Sequence, residues 1–272
     1  MPLSATAESP VAAVPNFRKY SAVYDLLYRD KDYAAEADYV ARTIRAAVPG
    51  ARTILELGSG TGKHGRLLAA CGFDVHGIER SPDMVVLAKS AAAEMRARDG
   101  GSFTCEVGDA CAAKLERGFD AVIALFHVVS YQTTDDDLQA IFATAARHLP
   151  EGGVFLFDVW HGPAVLAQQP ERRVKTVADD DLEVVRTALP QLDADARTVR
   201  VTYDMECRDR RSGDRMHFSE DHLMRYLFPD EIETLAARNA MQIVASEEFL
   251  TGQPPSSSSW GVAYLLGKPG RA

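Results

Sequence analysis

Apolar and polar residues follow two different periods along the chain, and a helix-and-strand pattern dominates up to Trp160. Short apolar runs bounded by glycine, proline or charged residues predict strands in RTILELGSG, FDVHGIE, SFTCEVGDA, FDAVIALFHVV and GVFLFDVW. Between them, apolar residues at spacings of three and four predict helices, one of which begins at Ser81 with Pro82 in its first turn. This alternation favours a parallel sheet with helices on both faces.

After Trp160 the apolar residues recur with period two. One face of the segment ARTVRVTYDMECRD carries the larger apolar side chains: Val199, Val201, Tyr203, Met205 and Cys207. A turn at RRSGDR and a returning strand in MHFSEDHLMRYLF complete an antiparallel hairpin, so we expect an antiparallel β insertion at about residues 162–227. PDEIETLAARNA then predicts a helix, and MQIVASEEF and WGVAYLLGK predict closing strands.

Composition narrows the class of protein. The chain has 272 residues and a formal net charge of -9, which favours one elaborated domain and disfavours binding of a nucleic acid polymer. Its 4 cysteines form no C-x-x-C pair and are typical of reduced thiols in a cytoplasmic protein. No apolar run suits a membrane span, and residues 1–15 resemble a mobile tail and not a secretory signal.

A glycine-rich stretch, GSGTGKHG, follows the first predicted strand directly. A Walker A phosphate loop requires Ser or Thr after Gly-Lys, but His64 stands there. The dinucleotide pattern G-x-G-x-x-G is present at Gly60, Gly62 and Gly65, and alone it leaves several nucleotide ligands open.

Three acidic residues at the ends of successive strands select among these ligands. Glu56 precedes the glycines, where it would repel a pyrophosphate but suit an ammonium or sulfonium cation. Glu79 ends the second strand, where a carboxylate can take both ribose hydroxyls. Asp109 follows the third strand and is placed to meet an adenine amino group. Together these features describe S-adenosylmethionine, and they disfavour a nicotinamide-dependent oxidoreductase.

The segments ELGSGTG, GIERSPDM, GDA and FDAVIALFHVVSY resemble the successive motifs of class I S-adenosylmethionine-dependent methyltransferases. The resemblance implies a Rossmann-like seven-stranded, mostly parallel sheet with helices on both faces, whose last strand, WGVAYLLGK, is antiparallel. It also implies a set of cofactor contacts. These are Glu56, Gly58, Ser59 and Gly60 at the methionine part, Glu79 at the ribose, Met84 beside ribose and adenine, Asp109 and Ala110 at the adenine, and Leu125 and Phe126 on the far side.

A narrower resemblance joins YSAVYDLLYRDKDYAAEADYV and HFSEDHLMRYLFPDEI to bacterial deoxyamino-sugar N-methyltransferases. It implies that residues 16–53 form a helical segment over the active site of a methyltransferase domain at residues 54–272. It also implies a small polar acceptor, foremost an amine of a nucleotide-linked sugar. Two alternatives stay open: methylation of a sugar or natural-product hydroxyl, and a non-catalytic protein that only binds S-adenosylmethionine.

Candidate catalytic and acceptor-binding residues cluster at the expected mouth of the site. Tyr24 and Tyr28, four apart, are expected to wall the cofactor, and Tyr28 to reach the acceptor amine. His127 and His161 follow two strands and would serve as general bases if the acceptor were a hydroxyl. The last candidates are Tyr131 after the fourth strand and His222 and Arg225 on the hairpin.

Arg225 has two interpretations, since its fork suits a diphosphate but most arginines form structural ion pairs. No motif of metal ligands is visible, so no metal is expected. The insertion is expected to supply acceptor contacts, a homodimer surface, or both.

Overall fold

The computed structural model of the protein describes residues 23–94 and 100–270. The expected tail at residues 1–15 and the start of the expected helical segment, residues 16–22, therefore lie outside the described residues. The larger of its two sheets is built from β1 Thr53–Leu57, β2 Asp74–Glu79, β3 Ser102–Val107, β4 Ala121–Ala124, β5 Val154–Trp160, β10 Gln242–Glu248 and β11 Gly261–Gly267. The order across this 7-stranded sheet is β10-β11-β5-β4-β1-β2-β3.

Strand direction places the carboxyl ends of five strands along one edge of the sheet. β1 pairs in parallel with β2 and β4, and β3 and β5 extend the parallel pairing on either side. β11 runs antiparallel to both β5 and β10. The expectation of a mostly parallel, seven-stranded sheet with an antiparallel last strand is confirmed. Ligands in such sheets bind beyond the carboxyl ends of the parallel strands.

Helices cover both faces of this sheet, as the alternation in sequence predicts. They are α1 Tyr33–Ala47, α2 Lys63–Ala70, α3 Pro82–Ala93, α4 Asp135–His148, α5 Gly162–Gln168 and α6 Pro229–Arg238. Leu55 and Leu57 pack with α4 and α6 on one face, whereas Ile54 packs with α1 on the other. Ser81 caps α3 and Pro82 lies in its first turn, as predicted. Among these described helices, none combines the length and apolar character that crossing a bilayer requires.

The late part of the chain contains a second sheet that is larger than the predicted hairpin. Four antiparallel strands, β6 Arg173–Ala178, β7 Leu182–Asp193, β8 Thr198–Asp209 and β9 Arg215–Arg225, pair in the order β6-β7-β8-β9. The predicted hairpin is the β8–β9 half, and β6 and β7 are additions that the sequence analysis missed. The inward face of β8 carries the buried side chains of Val199, Val201, Met205 and Cys207, as the period of two predicts.

β4 is much shorter than the eleven-residue strand expected for FDAVIALFHVV. Phe126 and His127 adopt left-handed backbone conformations with φ of 62° and 64°, and a 3-10 helix follows at Val128–Tyr131. A left-handed conformation at two consecutive non-glycine residues cannot continue a strand. The chain therefore turns sharply at the carboxyl end of β4, and this turn presents His127 and Tyr131.

An N-terminal segment, residues 23–31, joins the two sheets. Val23 and Leu27 are buried against apolar side chains of the second sheet, including Val177, Val184 and Met205. Two cations tie the segment to β6: Lys175 donates to the carbonyl oxygen of Leu27 at 2.7 Å, and Arg29 donates to that of Ala178 at 2.9 Å. The segment thus spans the carboxyl edge of the main sheet and contacts both halves of the molecule.

Candidate functional site

The glycine loop, residues 58–62, follows β1 and turns the chain through left-handed conformations at Gly58, Gly60 and Gly62. A Cβ at Gly62 would lie 2.6 Å from the ring of Phe103, so packing excludes a side chain there. A Cβ at Gly60 would meet only the sulfur of Met84, at 4.0 Å. The space over Gly60 is therefore open, and a ligand can approach the backbone at this point.

Glu79 holds the glycine loop from the end of β2. Its carboxylate accepts hydrogen bonds of 2.8 Å from the backbone N–H groups of Gly60 and Ser81. Burial raises the pKa of Glu79, and these hydrogen bonds act in the opposite direction. Each oxygen keeps a second acceptor site, so the carboxylate that shapes the loop can also take ribose hydroxyls.

Glu56 is a buried carboxylate with one oxygen that lacks a partner among the described residues. It is 2% exposed, and that oxygen is Oε2. Burial and then repulsion by Glu79 raise its pKa to about 8. A buried charge without a partner is costly, and a ligand ammonium or sulfonium placed here would remove that cost. The open space at Gly60 and the unpartnered Glu56 oxygen both fit S-adenosylmethionine.

The remaining cofactor candidates differ in burial. Met84 is 7% exposed and lies beside the glycine loop, which suits an apolar wall. Asp109 is exposed and accepts a 2.8 Å hydrogen bond from the N–H of Cys111, with half-buried Ala110 beside it. Leu125 packs into the core between sheet and helices, whereas Phe126 reaches the cleft. Ser59 is buried, and its Oγ atom has no hydrogen-bond partner in the described part of the chain.

Aromatic side chains from the N-terminal segment close the cleft above the turn after β4. The rings of Tyr24 and Tyr28 are 4.8 Å apart, and Tyr28 meets Phe126 edge-on at 5.0 Å. Arg186 of β7 donates to the Tyr28 hydroxyl at 3.0 Å and lies over the ring of Tyr203. Tyr28 thus links the turn after β4 to the second sheet.

His127 is anchored by a buried carboxylate on β5. Asp158 is 1% exposed; its Oδ2 lies 2.6 Å from Nδ1 of His127, and both its oxygens lie 3.2 Å from the His127 backbone nitrogen. The side-chain contact is close but off the line of a good hydrogen bond, so the two backbone contacts and this close approach together hold His127 in place. Burial would raise the pKa of Asp158, but the charge and N–H groups of His127 outweigh burial and lower it.

Tyr131 and His222 meet across the gap between the two sheets. The Tyr131 hydroxyl lies 2.7 Å from Nδ1 of His222, and the ring of Tyr203 packs on His222 at 4.9 Å. Although 43% of Tyr131 is exposed, the walls of the cleft desolvate its phenol and raise its pKa. Tyr203, Tyr28, Glu220 and Glu79 add to that rise. The contact between Tyr131 and His222 places the turn after β4 against the second sheet.

The surroundings of two predicted site residues, His161 and Arg225, differ from those of the aromatic residues described above. His161 is 3% exposed, caps α5, and has a pKa lowered by burial. Within residues 23–94 and 100–270, no hydrogen bond or ring contact connects it to Tyr28, His127 or Tyr131. Arg225 binds Asp135 at 2.7 Å and Glu231 at 2.8 Å. Of the two roles considered for Arg225, the structure therefore shows the structural ion pair. The alternative role, binding a diphosphate, has no support from these contacts.

The sequence analysis did not identify four residues of the cleft as site candidates: Asp158, Arg186, Tyr203 and Glu220. Asp158 gave a signal, because a carboxylate inside the apolar run VFLFDVW stands out. Glu220 gave a weaker one, since it shares an inward face of β9 with His222. Arg186 lies on a strand that was not predicted. Among the described residues, no group of three potential metal ligands is brought together.

Loss of the Glu79 carboxylate should weaken cofactor binding. We expect Glu79→Ala to reduce the affinity for S-adenosylhomocysteine by about 1.5–3 kcal/mol, because hydrogen bonds to a charged group are lost and the glycine loop loosens. Isothermal titration calorimetry measures the change, with Glu106→Ala on the neighbouring β3 as control. Unchanged affinity in a folded variant would remove Glu79 from the ribose site.

Comparison with known proteins supports the same ligand. Residues 54–153 match a protein family described as "Methyltransferase domain". The chain is 32% identical over 234 residues to the dTDP-3-amino-3,4,6-trideoxy-alpha-D-glucopyranose N,N-dimethyltransferase of Streptomyces venezuelae, covering 85% of this chain and 92% of that protein.

Solved structures agree with this relationship. Streptomyces venezuelae DesVI superimposes with a TM-score of 0.76 at 28% identity, over 92% of this chain and 98% of the other. CalS10, described as an amino pentose methyltransferase from Micromonospora echinaspora with S-adenosylmethionine bound, gives 0.71 at 25% identity, over 94% and 99%. With the glycine loop, the three strand-end acids and the sheet order, these similarities identify the chain as a member of the class I S-adenosylmethionine-dependent methyltransferases, an enzyme whose cofactor is S-adenosylmethionine.

Proposed function

We propose that the enzyme methylates the amino group of a nucleotide-linked amino sugar. The observation that carries the proposal is the similarity over 92% of a relative named for an amino sugar on dTDP. An alignment of 234 residues extends beyond the cofactor half of the chain into the second sheet. A second relative, of Streptomyces fradiae, is named for a dTDP-3-amino-3,6-dideoxy sugar and is 26% identical over 250 residues. Both relatives are named as N,N-dimethyltransferases.

The aromatic walls of the cleft support a small polar acceptor. Bound S-adenosylmethionine supplies an electrophilic methyl carbon with a good leaving group. The protein therefore has mainly to align the acceptor nitrogen and exclude water. Tyr28, His127 and Tyr131 border the cleft between glycine loop and second sheet, so we assign alignment to them. Tyr24 and Phe126 would exclude water beside the cofactor.

The proposal extends to organisation and setting. Residues 16–53 would form the cover of the active site, and residues 54–272 the methyltransferase domain with its insertion at about 162–227. The second sheet would contact the nucleotide-linked acceptor and could also pair with a second copy of the chain. A reaction on a small nucleotide sugar is consistent with a cytoplasmic enzyme that needs neither a nucleic acid polymer nor a membrane as partner.

A panel of acceptors tests the function. The protein is incubated with labelled S-adenosylmethionine and dTDP-linked sugars that carry either an amino group or only hydroxyl groups, and the label is followed by mass spectrometry. We expect label on the amino sugars. Label on hydroxyl-only sugars would favour the O-methyltransferase alternative. Transfer to none of them, but to an unrelated scaffold, would overturn the sugar proposal without affecting the methyltransferase assignment.

The histidines distinguish nitrogen from oxygen as acceptor. If the acceptor is an amine, His127→Asn and His161→Asn should each lower kcat/KM by less than about a hundredfold, because neither histidine is then needed as the general base. A hydroxyl acceptor would make one of them much more damaging. Steady-state kinetics with saturating S-adenosylmethionine measure both variants. The exposed His217 provides the matched control as His217→Asn.

A further inference from the structure

A chain of three polar side chains leads from the cleft into the second sheet. The Tyr131 hydroxyl lies 2.7 Å from Nδ1 of His222, and Nε2 of His222 lies 3.3 Å from Oε1 of Glu220. The side chains of His222 and Glu220 are only 6% and 3% exposed. The chain therefore has one end in the cleft and one end sealed inside the protein.

The burial of Glu220 is not explained by a hydrogen bond with any described residue, because neither of its side-chain oxygens accepts one. A buried carboxylate without hydrogen bonds is expensive, and the nearby His222 is the group that can offset its charge. By contrast, Asp221, the next residue on β9, points outward and accepts a hydrogen bond from Thr202. The cost of Glu220 indicates a functional role.

Titratable side chains from several elements of the protein lie around His222. Within the described part of the chain, the titratable and charged groups around it include Glu220 on β9, Tyr203 on β8, Arg186 on β7 over the Tyr203 ring, Tyr131 on the 3-10 helix and Tyr28 on the N-terminal segment. When Nδ1 accepts from Tyr131, Nε2 carries the proton and faces Glu220. This arrangement leaves Nδ1 as the atom that can receive a proton from the cleft.

We propose that Tyr131, His222 and Glu220 form a relay that removes the proton from the ammonium form of the acceptor. The inference rests on the proposed function, because an amino sugar in neutral water is mostly protonated and an ammonium has no lone pair to attack with. Tyr131 is the group that meets the acceptor. His222 is the proton acceptor, and Glu220 is a positioning residue that stabilises the imidazolium.

The proton transfer balances within these groups. An N–H bond of the acceptor ammonium breaks as a new O–H bond forms on Tyr131, whose own proton moves to Nδ1 of His222. The neutral amine then attacks the methyl carbon, and the carbon–sulfur electron pair leaves with sulfur. A methylammonium product could lose its proton by the same route, which would prepare it for a second transfer.

The pH dependence of two conservative variants tests the relay. Glu220→Gln keeps the shape but removes the charge, and His222→Asn keeps an acceptor for Tyr131 that cannot take a full proton. With a dTDP-amino sugar, we expect each variant to lose about ten- to a hundredfold in kcat/KM at pH 7. Activity should return to within about threefold of the wild type at high pH, where the acceptor deprotonates in water. Asp221→Asn should behave as the wild type.

The outcomes separate this inference from the proposed function. If the wild-type enzyme methylates no amino sugar, the proposed function fails. If the wild type is active and both variants lose the same factor at every pH, the three residues are merely structural and the relay is wrong. Variants as active as the wild type at pH 7 would also overturn it. Calorimetric binding of S-adenosylhomocysteine, which the relay does not touch, verifies that each variant is folded.

Discussion

Replacing Glu56 by glutamine should weaken the binding of S-adenosylhomocysteine at pH 9 by about a hundredfold or more. Two opposite charges at about 4 Å near a protein surface attract by about 4 kcal/mol, and glutamine keeps the shape of Glu56 without its charge. Calorimetric titration of both proteins measures the effect. Glu106→Gln, a half-exposed carboxylate on β3, is the control. Equal affinities for wild type and Glu56→Gln would show that no cation binds beside Glu56.

The pH dependence of the same binding gives an independent test. The pKa of Glu56 is raised to about 8, so at neutral pH the carboxyl group of the cofactor-free protein is largely protonated. Binding a cation must expel that proton, so the affinity should rise with pH up to about 8 and then level. Glu56→Gln should lack this rise. Comparing binding enthalpies in buffers of different ionisation enthalpy counts the released proton.

Glu56 should also make the cofactor-free protein less stable in alkali. Because its pKa is higher in the folded chain than the ordinary 4.5, stability is lost as pH rises from 4.5 through about 8. Glu56→Gln should therefore melt higher than the wild type at pH 9, and the difference should vanish near pH 4.5. A variant that melts lower at both pH values would contradict this account.

Asp158→Ala is the second change with a large expected effect. It leaves His127 without its buried partner and removes the acceptor for the His127 backbone N–H. Leaving a buried backbone N–H without its acceptor costs about 1–3 kcal/mol of unfolding free energy. Because the turn at Phe126–His127 would also relax, we expect kcat to fall by about a hundredfold or more. Urea denaturation and steady-state kinetics measure the two losses.

Asp158→Asn is the matched control, since it keeps an acceptor for the backbone N–H but not the charge. It should retain more stability than Asp158→Ala. The pKa of Asp158 lies below its ordinary 3.8, so its contribution is present above pH 3.8 and is lost as pH falls through the folded pKa. A stability difference confined to alkaline pH would therefore contradict this role of the Asp158 carboxylate.

The main sheet was predictable because its signals are local. The central strands β1, β4 and β5 are buried along almost their whole length and read as short apolar runs. The edge strand β3 is largely exposed and was recognised from its position between a helix and a glycine turn. The positions of Glu56, Glu79 and Asp109 at the carboxyl edge of the sheet were predictable for the same reason, since each lies within two residues of the end of its strand. Topology then brings strand ends together without any further information.

Strand β7 was not predicted because its pairing depends on residues far away in the sequence. It contains Pro190, and proline inside a strand argues against an interior position. β6 pairs with β7 only up to Ala188, so the part around Pro190 has β8 as its partner and needs no second neighbour. That arrangement depends on the length of another strand, which no window of sequence around Pro190 contains.

Tyr131 and His222 were both candidates from the sequence, but their contact could not be predicted, for a related reason. Tyr131 and His222 are 91 positions apart, and only the packing of the second sheet brings them together. The turn at Phe126–His127 was equally hidden, because its left-handed residues are not glycines and are held by Asp158 on another strand. Residues that meet only through such distant contacts have no characteristic spacing in the sequence by which they could be recognised.

The N-terminal segment contacts both the glycine loop and the second sheet, beside which we place the cofactor and the acceptor. Asp25 accepts a hydrogen bond from Thr61 and pairs with Lys63, both at 3.1 Å beside the glycine loop, while Val23 and Leu27 pack on the second sheet. A ligand that orders this segment from either side spares the other ligand the same entropic cost. Thermodynamic reciprocity then requires that cofactor and acceptor strengthen each other's binding by one common factor.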